Sequence, residues 1–465
     1  MNQLPYNPKD KKTIVSYAKK LEGKTLRDFI SKDDVNNNLL GKGSFGQLLE
    51  KLYFKYAPNS ESKPDFPEVN LELKSSPLKR IKNNKYLSKE RLVLNIINYI
   101  QEADKSFYTS SFWLKNADLL LVFYLHDSEK NLEDLLIKLV GEWLISGEDL
   151  EVIRRDWETI HKKILSGKAH ELSEGDTFYL GACTKGANSK SLRNQYKSTI
   201  KAKQRAYSLK QGYVNHIVAS ISNQDSTEYG RVIPSLQIAK DKTLDEIVIS
   251  KFENYYGKSD MEILEEIGAE INTKAKGFHA SLTKAILGID PTKEIEEFSK
   301  ADIIVRTVRL SESYMPREDI SFPIFKYTDI IREKWDESAF KEILEKKFFF
   351  VFYKYSGTSL VLLKVKFWNM PFKGITEAKK VWTATKKIVA TGNIVKSIVD
   401  GVRYTNFPGK ASNPVSHVRP HAANATDTYP LPVKDRLTHA KEYTKHCFWL
   451  NAKYVRDEIF LKYRG

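Results

Sequence analysis

The chain has 465 residues, of which 41% are hydrophobic and 29% charged, and its formal net charge is +16 at pH 7. This length exceeds what one hydrophobic core usually fills, and this composition excludes an intrinsically disordered chain. The large basic excess favours a polyanionic partner, with nucleic acid ahead of a membrane surface or an acidic protein.

The hydrophobic pattern predicts mixed α/β structure in both halves of the chain. The predicted elements, in chain order, are a helix opening near residue 43, a period-2 strand at 69–74, an apolar strand at 119–124, a helix at about 150–165, and a hairpin in which 348–355 returns through 359–368 after turning at Ser356-Gly357.

The cysteine content and the apolar segments indicate the cellular compartment. The two cysteines, Cys183 and Cys447, are too few and too far apart for a disulfide framework or a cysteine-rich zinc site. Residues 1–10 lack the apolar core of a signal peptide, and the longest apolar runs are much shorter than a membrane-spanning helix. We therefore expect a cytoplasmic protein with no membrane partner.

Five short patterns recur in the same order along the chain. They are 24–30 with 242–248, Lys42-Gly43 with Lys276-Gly277, 119–124 with 348–353, the interval from Trp157 to Gly167 with that from Trp382 to Gly392, and 185–188 with 421–424. Ordered repetition of this kind indicates a duplicated domain. We predict copies at about 1–222 and 236–465, joined by a linker at 223–235 that begins in a polar stretch.

The strand at 69–74 carries the residues with the clearest chemistry. Its odd-numbered residues are apolar and predict a buried face, while Asn70, Glu72 and Lys74 share the opposite face, with Asp65 just before the strand. Two carboxylates can hold a hard divalent cation, and an adjacent lysine can orient water or stabilise charge on a phosphate. The alternative is a solvated polar strand face without catalytic function.

These residues resemble the PD-(D/E)XK nuclease superfamily and, more narrowly, the MutH family, which includes a mismatch-repair nicking enzyme and GATC-cutting type II restriction enzymes of the Sau type. Residues 43–50 look like the family's first helix, which carries an active-site glutamate, here Glu50. Lys115 looks like its further active-site lysine. Residues 88–95 and 167–175 look like the restriction enzymes in particular. Without the resemblance, Glu50 reads as a solvated carboxylate and Lys115 as one lysine among many.

The resemblance implies two MutH-like domains and a type II restriction endonuclease. It implies hydrolysis of double-stranded DNA at 5′-GATC-3′, before the G, leaving a 5′-phosphate. Asp65 and Glu72 would bind Mg²⁺ with Glu50 nearby, Lys74 would position the attacking water, and Lys115 would support the phosphate.

The second copy departs from this pattern at the active-site positions. The places of Glu50, Asp65, Glu72 and Lys74 are taken, in order, by Lys284, Glu297, Ile304 and Arg306. The acids aligned with Glu50 and Glu72 are lost, which removes the metal site, so we predict that the second domain is catalytically inactive.

The second copy keeps a segment that resembles the family's DNA-reading loop. Residues 416–424 contain the Arg-Pro-x-Ala-Ala-Asn pattern, in which Arg419 can address a guanine and Asn424 can serve an adenine or hold the loop. In the first copy, Cys183 stands where the arginine is expected. The candidates there are Lys185, Asn188 and Arg193, each as a base contact or a phosphate contact.

A basic run at 201–205 includes Lys203 and Arg205. It either follows the DNA backbone or forms a solvated helix face.

One active site and a palindromic target predict that two chains meet on DNA, with the inactive domain acting as an allosteric effector that binds a second site. The alternatives are a single-strand nicking endonuclease of the mismatch-repair type and a catalytically silent GATC-binding protein. A basic RNA-binding protein is disfavoured because no stacking motif or Gly-rich clamp is evident.

Overall fold

A computed structural model describes residues 4–29, 44–56, 63–82, 85–186, 191–223 and 228–462. The α-helices are α1 Lys11–Lys19, α2 Phe45–Leu48, α3 Ser111–Asn116, α4 Gly147–Leu165, α5 Gln211–Ile221, α6 Leu236–Asp241, α7 Leu244–Ser250, α8 Asp260–Ile267, α9 Phe278–Ile286, α10 Glu296–Lys300, α11 Tyr327–Ile330, α12 Ala339–Leu344, α13 Phe372–Ala390 and α14 Ala452–Tyr454, with π-helical turns at Leu49–Tyr53 and Val455–Phe460. Among the described residues, no helix is both long enough and apolar enough to cross a bilayer.

The strands are β1 Glu72–Arg80, β2 Tyr86–Ser88, β3 Leu92–Ile96, β4 Asp118–Leu125, β5 Ile137–Leu144, β6 Leu180–Thr184, β7 Leu192–Gln195, β8 Ser198–Lys203, β9 Arg205–Leu209, β10 Tyr229–Gly230, β11 Glu294–Ile295, β12 Ile304–Leu310, β13 Ile320–Phe325, β14 Lys347–Ser356, β15 Ser359–Asn369, β16 Val395–Val399, β17 Val402–Thr405, β18 Ser416–Pro420, β19 Thr428–Pro430, β20 Glu442–Thr444 and β21 His446–Leu450.

The chain divides into two compact units. Unit 1 comprises Met1–Ile247 and Lys293–Asp302, and unit 2 comprises Val248–Thr292 and Ile303–Gly465. The segment 293–302 packs with unit 1, where β11 pairs with β10. The repeat boundaries at 222 and 236 stay a prediction, because packing and repetition divide a chain by different criteria.

Unit 1 is built on two sheets. In the first, with order β2-β1-β4-β5, β1 runs parallel to β4 and β5 antiparallel to it. The second is antiparallel, with order β3-β9-β6. Apolar side chains of β1, β4 and β5 pack against α1 and α2 to form one core cluster. This packing holds β1 between its neighbours with Glu72 at its first position.

Unit 2 repeats the same topology. β12 runs parallel to β14, β15 is antiparallel to β14, and a second antiparallel sheet has the order β13-β21-β18. In each unit a 19-residue helix, α4 or α13, is followed by a glycine with positive φ, Gly167 at 68° or Gly392 at 65°. The predicted mixed α/β fold, with one architecture present twice in tandem, is confirmed.

The predicted elements agree with the structure except at three points. The strand expected at 69–74 begins only at Glu72, because Pro67 opens a 3-10 turn that ends at Asn70 in the left-handed conformation, with φ 51°. The 348–368 hairpin turns at Gly357-Thr358, one residue later than expected. Residues 201–203 end β8 and Arg205 begins β9, so the alternative of a helix face was wrong.

Candidate active site

Glu50 is positioned by the short helix α2 and the π-helical turn that continues it. Ser44 caps the helix through reciprocal hydrogen bonds with Gln47. A Cβ at Gly46 would lie only 3.3 Å from Oγ of Ser75, so the helix approaches β1 closely. The chain then widens into the π-turn, and Glu50 is half-buried near Asp65. Irregular turns of this kind occur often at functional sites.

A tight turn brings Asp65 and Glu72 together. Phe66 and Leu71 form an isolated antiparallel bridge across the turn. The Asp65 backbone amide donates to Oε2 of Glu72 at 3.0 Å, and the Leu73 amide donates to Oδ2 of Asp65 at 3.0 Å. The two carboxylates that the sequence pairs are therefore adjacent in space.

Two lysines reach the same carboxylate oxygen. Nζ of Lys74 donates to Oε1 of Glu72, and Nζ of Lys115 lies 3.6 Å from that oxygen. Lys115 lies in the last turn of α3, and the parallel pairing of Glu72 with Leu119 brings that turn to β1. The Glu72 side chain is only 1% exposed, which rules out the solvated strand face.

The electrostatics of the site follow from this burial. Burial raises the pKa of Glu72 to about 7, while Lys74 and Lys115 oppose the rise and Asp65 adds to it. Burial, with a smaller contribution from Asp65, also raises the pKa of Glu50. Three acids beside two lysines form a site where charge is costly without a cation or a substrate.

Tyr56 is a member of this site that the sequence did not indicate. Its backbone amide donates to the Glu50 carbonyl at 3.2 Å, and its ring packs edge-on against Phe66. Its hydroxyl is buried and has no hydrogen-bond partner among the described residues. Burial raises its pKa, and Asp65, Glu50 and Glu72 raise it further, so it lies beside all three carboxylates. An aromatic residue outside any periodic pattern gives no sequence signal for such a role.

The donor set fits a hard divalent cation. Within the part of the chain that the structure describes, no cluster of three or more His, Cys, Asp or Glu side chains forms a ready metal cage. Asp65 and Glu72 nevertheless form an adjacent pair, with Glu50 and the unpartnered Tyr56 hydroxyl close by. One or two carboxylates, completed by waters and substrate phosphate, are the usual protein ligands of such a cation.

Comparison with known proteins decides the family. A family model of the DNA mismatch repair enzyme MutH matches residues 54–156, which include Asp65, Glu72, Lys74 and Lys115. The type II restriction enzyme Sau3AI of Staphylococcus aureus is 36% identical over 486 aligned residues, covering 97% of this chain and 98% of that protein. The chain belongs to the Sau3AI family. It is a type II restriction endonuclease, a site-specific deoxyribonuclease.

MutH proteins match only part of this restriction enzyme. The one from Buchnera aphidicola is 27% identical over 35% of the chain and 74% of its own length. The one from Shewanella woodyi is also 27% identical, over 40% of the chain and 80% of its own length. The match to Sau3AI, in contrast, spans both units.

Two of the predicted DNA contacts of unit 1 share one partner. The backbone amide of Lys185 donates to the carbonyl of Gln204 at 2.9 Å, and Nε of Arg193 donates to the Gln204 side chain at 2.7 Å. Both Lys185 and Arg193 are exposed, whereas Cys183 is buried within β6. Asn188 and Lys42-Gly43 lie outside the described residues.

The basic run at 201–205 divides between surface and interior. Lys203 ends β8 and is half-buried. Arg205 is buried, and its guanidinium donates to the carbonyls of Ala182, at 2.5 Å, and Leu172. The DNA contact predicted for Arg205 is therefore corrected, because this side chain joins two segments of unit 1 instead.

The reading-loop candidates of unit 2 are exposed. Arg419, on β18, stacks over the Trp449 ring at 3.7 Å and lies 3.4 Å from Oδ2 of Asp319. The Oδ1 atom of Asn424 accepts from the amides of Thr426 and Asp427 at 3.0 and 3.1 Å, so Asn424 holds the loop.

The strand register of unit 2 supports the sequence alignment of its degenerate positions. Glu72 pairs with Leu119, and Ile304 pairs with Phe348, the residue that the repeat matches to Leu119. Arg306 likewise takes the place of Lys74.

The acid aligned with Asp65 has a structural partner. The Glu297 carboxylate accepts from the backbone amides of Val232 and Ile233 at 2.8–2.9 Å. It belongs to unit 1 and caps those amides.

Proposed function

We propose that this restriction enzyme hydrolyses double-stranded DNA at 5′-GATC-3′, before the G, leaving a 5′-phosphate, with Mg²⁺ as its cofactor. The observation that carries the proposal is the adjacent Asp65–Glu72 pair with two lysines on one Glu72 oxygen. Full-length similarity to a type II restriction enzyme supports the reaction class. The target sequence rests on the family resemblance.

Each residue of the site has a distinct role in this proposal. Asp65 and Glu72 would hold the cation, with Glu50 beside them. When bound, the cation polarises the scissile phosphate and acidifies a water. Lys74 orients the attacking water in line with the leaving oxygen, and Lys115 stabilises the negative charge that develops on the phosphate. Glu72 anchors both ammonium groups before DNA arrives.

Unit 2 is proposed to be catalytically inactive and to bind DNA as an allosteric effector. Ile304 and Lys284 replace two of the acids, and an apolar side chain and an ammonium cannot hold a cation. Because unit 1 carries one active site and the target is palindromic, we propose that two chains pair on DNA.

Digestion of a plasmid with defined GATC sites, in Mg²⁺ or in EDTA, tests the proposal. We expect linear products in Mg²⁺ whose sequenced ends begin at the G, and no cleavage in EDTA. Glu72→Ala and Lys74→Ala should abolish cleavage and retain DNA binding, while Lys79→Ala, an exposed lysine of β1, should cut normally. Ends at other sequences would contradict the specificity.

The similarity to MutH proteins supports one alternative function, that of a nicking endonuclease that cuts one strand. The product form separates the two, because nicking leaves open circles and restriction leaves linear DNA. Binding without either product would indicate a catalytically silent DNA-binding protein.

A further inference from the structure

Arg306 occupies the place in unit 2 that Lys74 holds in unit 1. It lies on β12 opposite Phe350 and is half-buried. Its Nη1 donates to the Val305 carbonyl at 3.3 Å, and no carboxylate in the described parts of the chain forms a salt bridge with it. Burial lowers the pKa of Arg306. A half-buried guanidinium with unused donors is a costly arrangement that an anion would relieve.

Arg306 lines a basic cavity. A space of about 320 Å³ is lined by Arg306, Arg309 and Arg317 together with Glu318 and Asp319. A second space of about 480 Å³ shares the last three of these residues and adds Lys410, Arg419 and Lys453. The two spaces share part of their lining, and we call them together the basic groove of unit 2. Six cationic side chains and two carboxylates line it.

The two carboxylates do not cancel this charge. Asp319 is already occupied, because it accepts from the Ala452 amide at 2.7 Å and pairs with Lys410 at 2.7 Å and Arg419 at 3.4 Å. Glu318 is 76% exposed and lies 3.6 Å from Arg309. The inner end of the groove, at Arg306, therefore stays positive.

We propose that this groove binds a phosphodiester of duplex DNA, with the Arg306 guanidinium as the principal donor. The inference rests on the proposed DNA-binding role of unit 2. A guanidinium presents paired donors that match two phosphate oxygens. Ile304, in place of Glu72, removes the carboxylate that would repel a phosphate in the absence of a cation. Arg419, from the reading loop, lines the same groove, which favours DNA over a free anion.

DNA binding by the full chain in EDTA tests the proposal, with a short labelled GATC duplex and fluorescence anisotropy across a salt series. We compare wild type with Arg306→Gln, Arg306→Lys and the control Arg332→Ala, an exposed arginine of unit 2 that lines neither space. Arg306→Gln should weaken binding about tenfold and flatten the salt dependence by about one counterion. Arg306→Lys should keep most of the salt dependence, and Arg332→Ala should match wild type.

Duplexes with single neutral methylphosphonates then locate the contact. One position should weaken wild-type binding and cause no further loss in Arg306→Gln, as expected for a contact that is already missing. The proposal is overturned if every methylphosphonate weakens binding by Arg306→Gln further. It is also overturned if inorganic phosphate binds wild type while Arg306→Gln keeps the wild-type salt dependence of DNA binding.

Arg419→Ala separates this inference from the broader role of unit 2. If Arg419→Ala weakens DNA binding and Arg306→Gln leaves it unchanged, the phosphate contact in the groove is overturned and the effector role of unit 2 stands. No loss in either variant would overturn both.

Discussion

The backbone amide of Asp65 donates a hydrogen bond to Oε2 of Glu72 at 3.0 Å. The same turn directs the Leu73 amide to the Asp65 carboxylate, so each acid is held by the backbone beside the other. The carboxylate pair is thus fixed before any cation binds, and preorganised ligands lose little entropy on binding.

Replacement of Lys115 tests its role in stabilising the phosphate. Lys115→Ala should lower the single-turnover cleavage rate by about a hundredfold, because it removes a preorganised positive charge from the transition state. DNA binding in EDTA should change little. Lys105→Ala, an exposed lysine ahead of the same helix, serves as the control. An unchanged rate in Lys115→Ala would remove this residue from the catalytic set.

The buried Glu72 predicts a pH-dependent stability of the metal-free enzyme. Its pKa rises from an ordinary 4.5 to about 7, so the folded state binds the proton more tightly. The resulting stability is fully present below about pH 4.5 and is lost as the pH rises through about 7.

Thermal unfolding in EDTA checks this. Glu72→Gln should gain stability relative to wild type as the pH increases, by on the order of 3 kcal/mol above pH 7. A difference that does not vary with pH would contradict the raised pKa of Glu72.

Tyr56→Phe tests the unpartnered hydroxyl. Loss of a buried hydroxyl without a partner should raise the free energy of unfolding by about 1 kcal/mol. The Mg²⁺ concentration needed for half-maximal cleavage should rise about tenfold, because groups beside a cation's ligands tune its affinity. Tyr53→Phe, which loses a hydrogen bond to the Tyr17 carbonyl, should lose stability and keep its Mg²⁺ dependence. If Tyr56→Phe changes stability and leaves the Mg²⁺ dependence of cleavage unchanged, the role of Tyr56 is purely structural.

Arg205 and Arg193 should respond to substitution in opposite ways. Arg205→Ala leaves two carbonyls without their buried donor and should cost about 2–3 kcal/mol of stability. Arg193→Ala, at an exposed position, should keep its melting temperature and weaken DNA binding. Chemical denaturation and anisotropy on both variants make the comparison. A stable Arg205→Ala with weakened DNA binding would restore the original prediction.

The sequence predicted which side chains of β1 lie together, because a strand has a fixed period. Alternation placed Glu72 and Lys74 on one face and Leu73 on the other, as observed. It placed the start of the strand too early, because the alternation includes Val69 and Asn70. Val69 lies in the 3-10 turn and Asn70 is left-handed, so neither can start the strand.

Long-range contacts were beyond the reach of local patterns. Arg205 looked like a surface residue in a basic run, but its role depends on carbonyls 23 and 33 residues away. Tyr56 is brought to the site by the folded chain, which packs it against Phe66, and no local sequence pattern marks it. The sequence repeat did predict equivalent positions in the two units. Matching 119–124 to 348–353 aligns Glu72 with Ile304, and the strand register gives the same alignment.

Binding of Mn²⁺ by the chain tests most directly whether Asp65 and Glu72 hold a divalent cation. Free Mn²⁺ can be followed by electron paramagnetic resonance with a GATC duplex present, in the Lys74→Ala background, which should keep the duplex intact. Addition of Asp65→Asn or Glu72→Gln should abolish binding, and addition of Glu68→Gln, an exposed acid in the intervening turn, should not. Equal binding in all of these proteins would contradict the cation site.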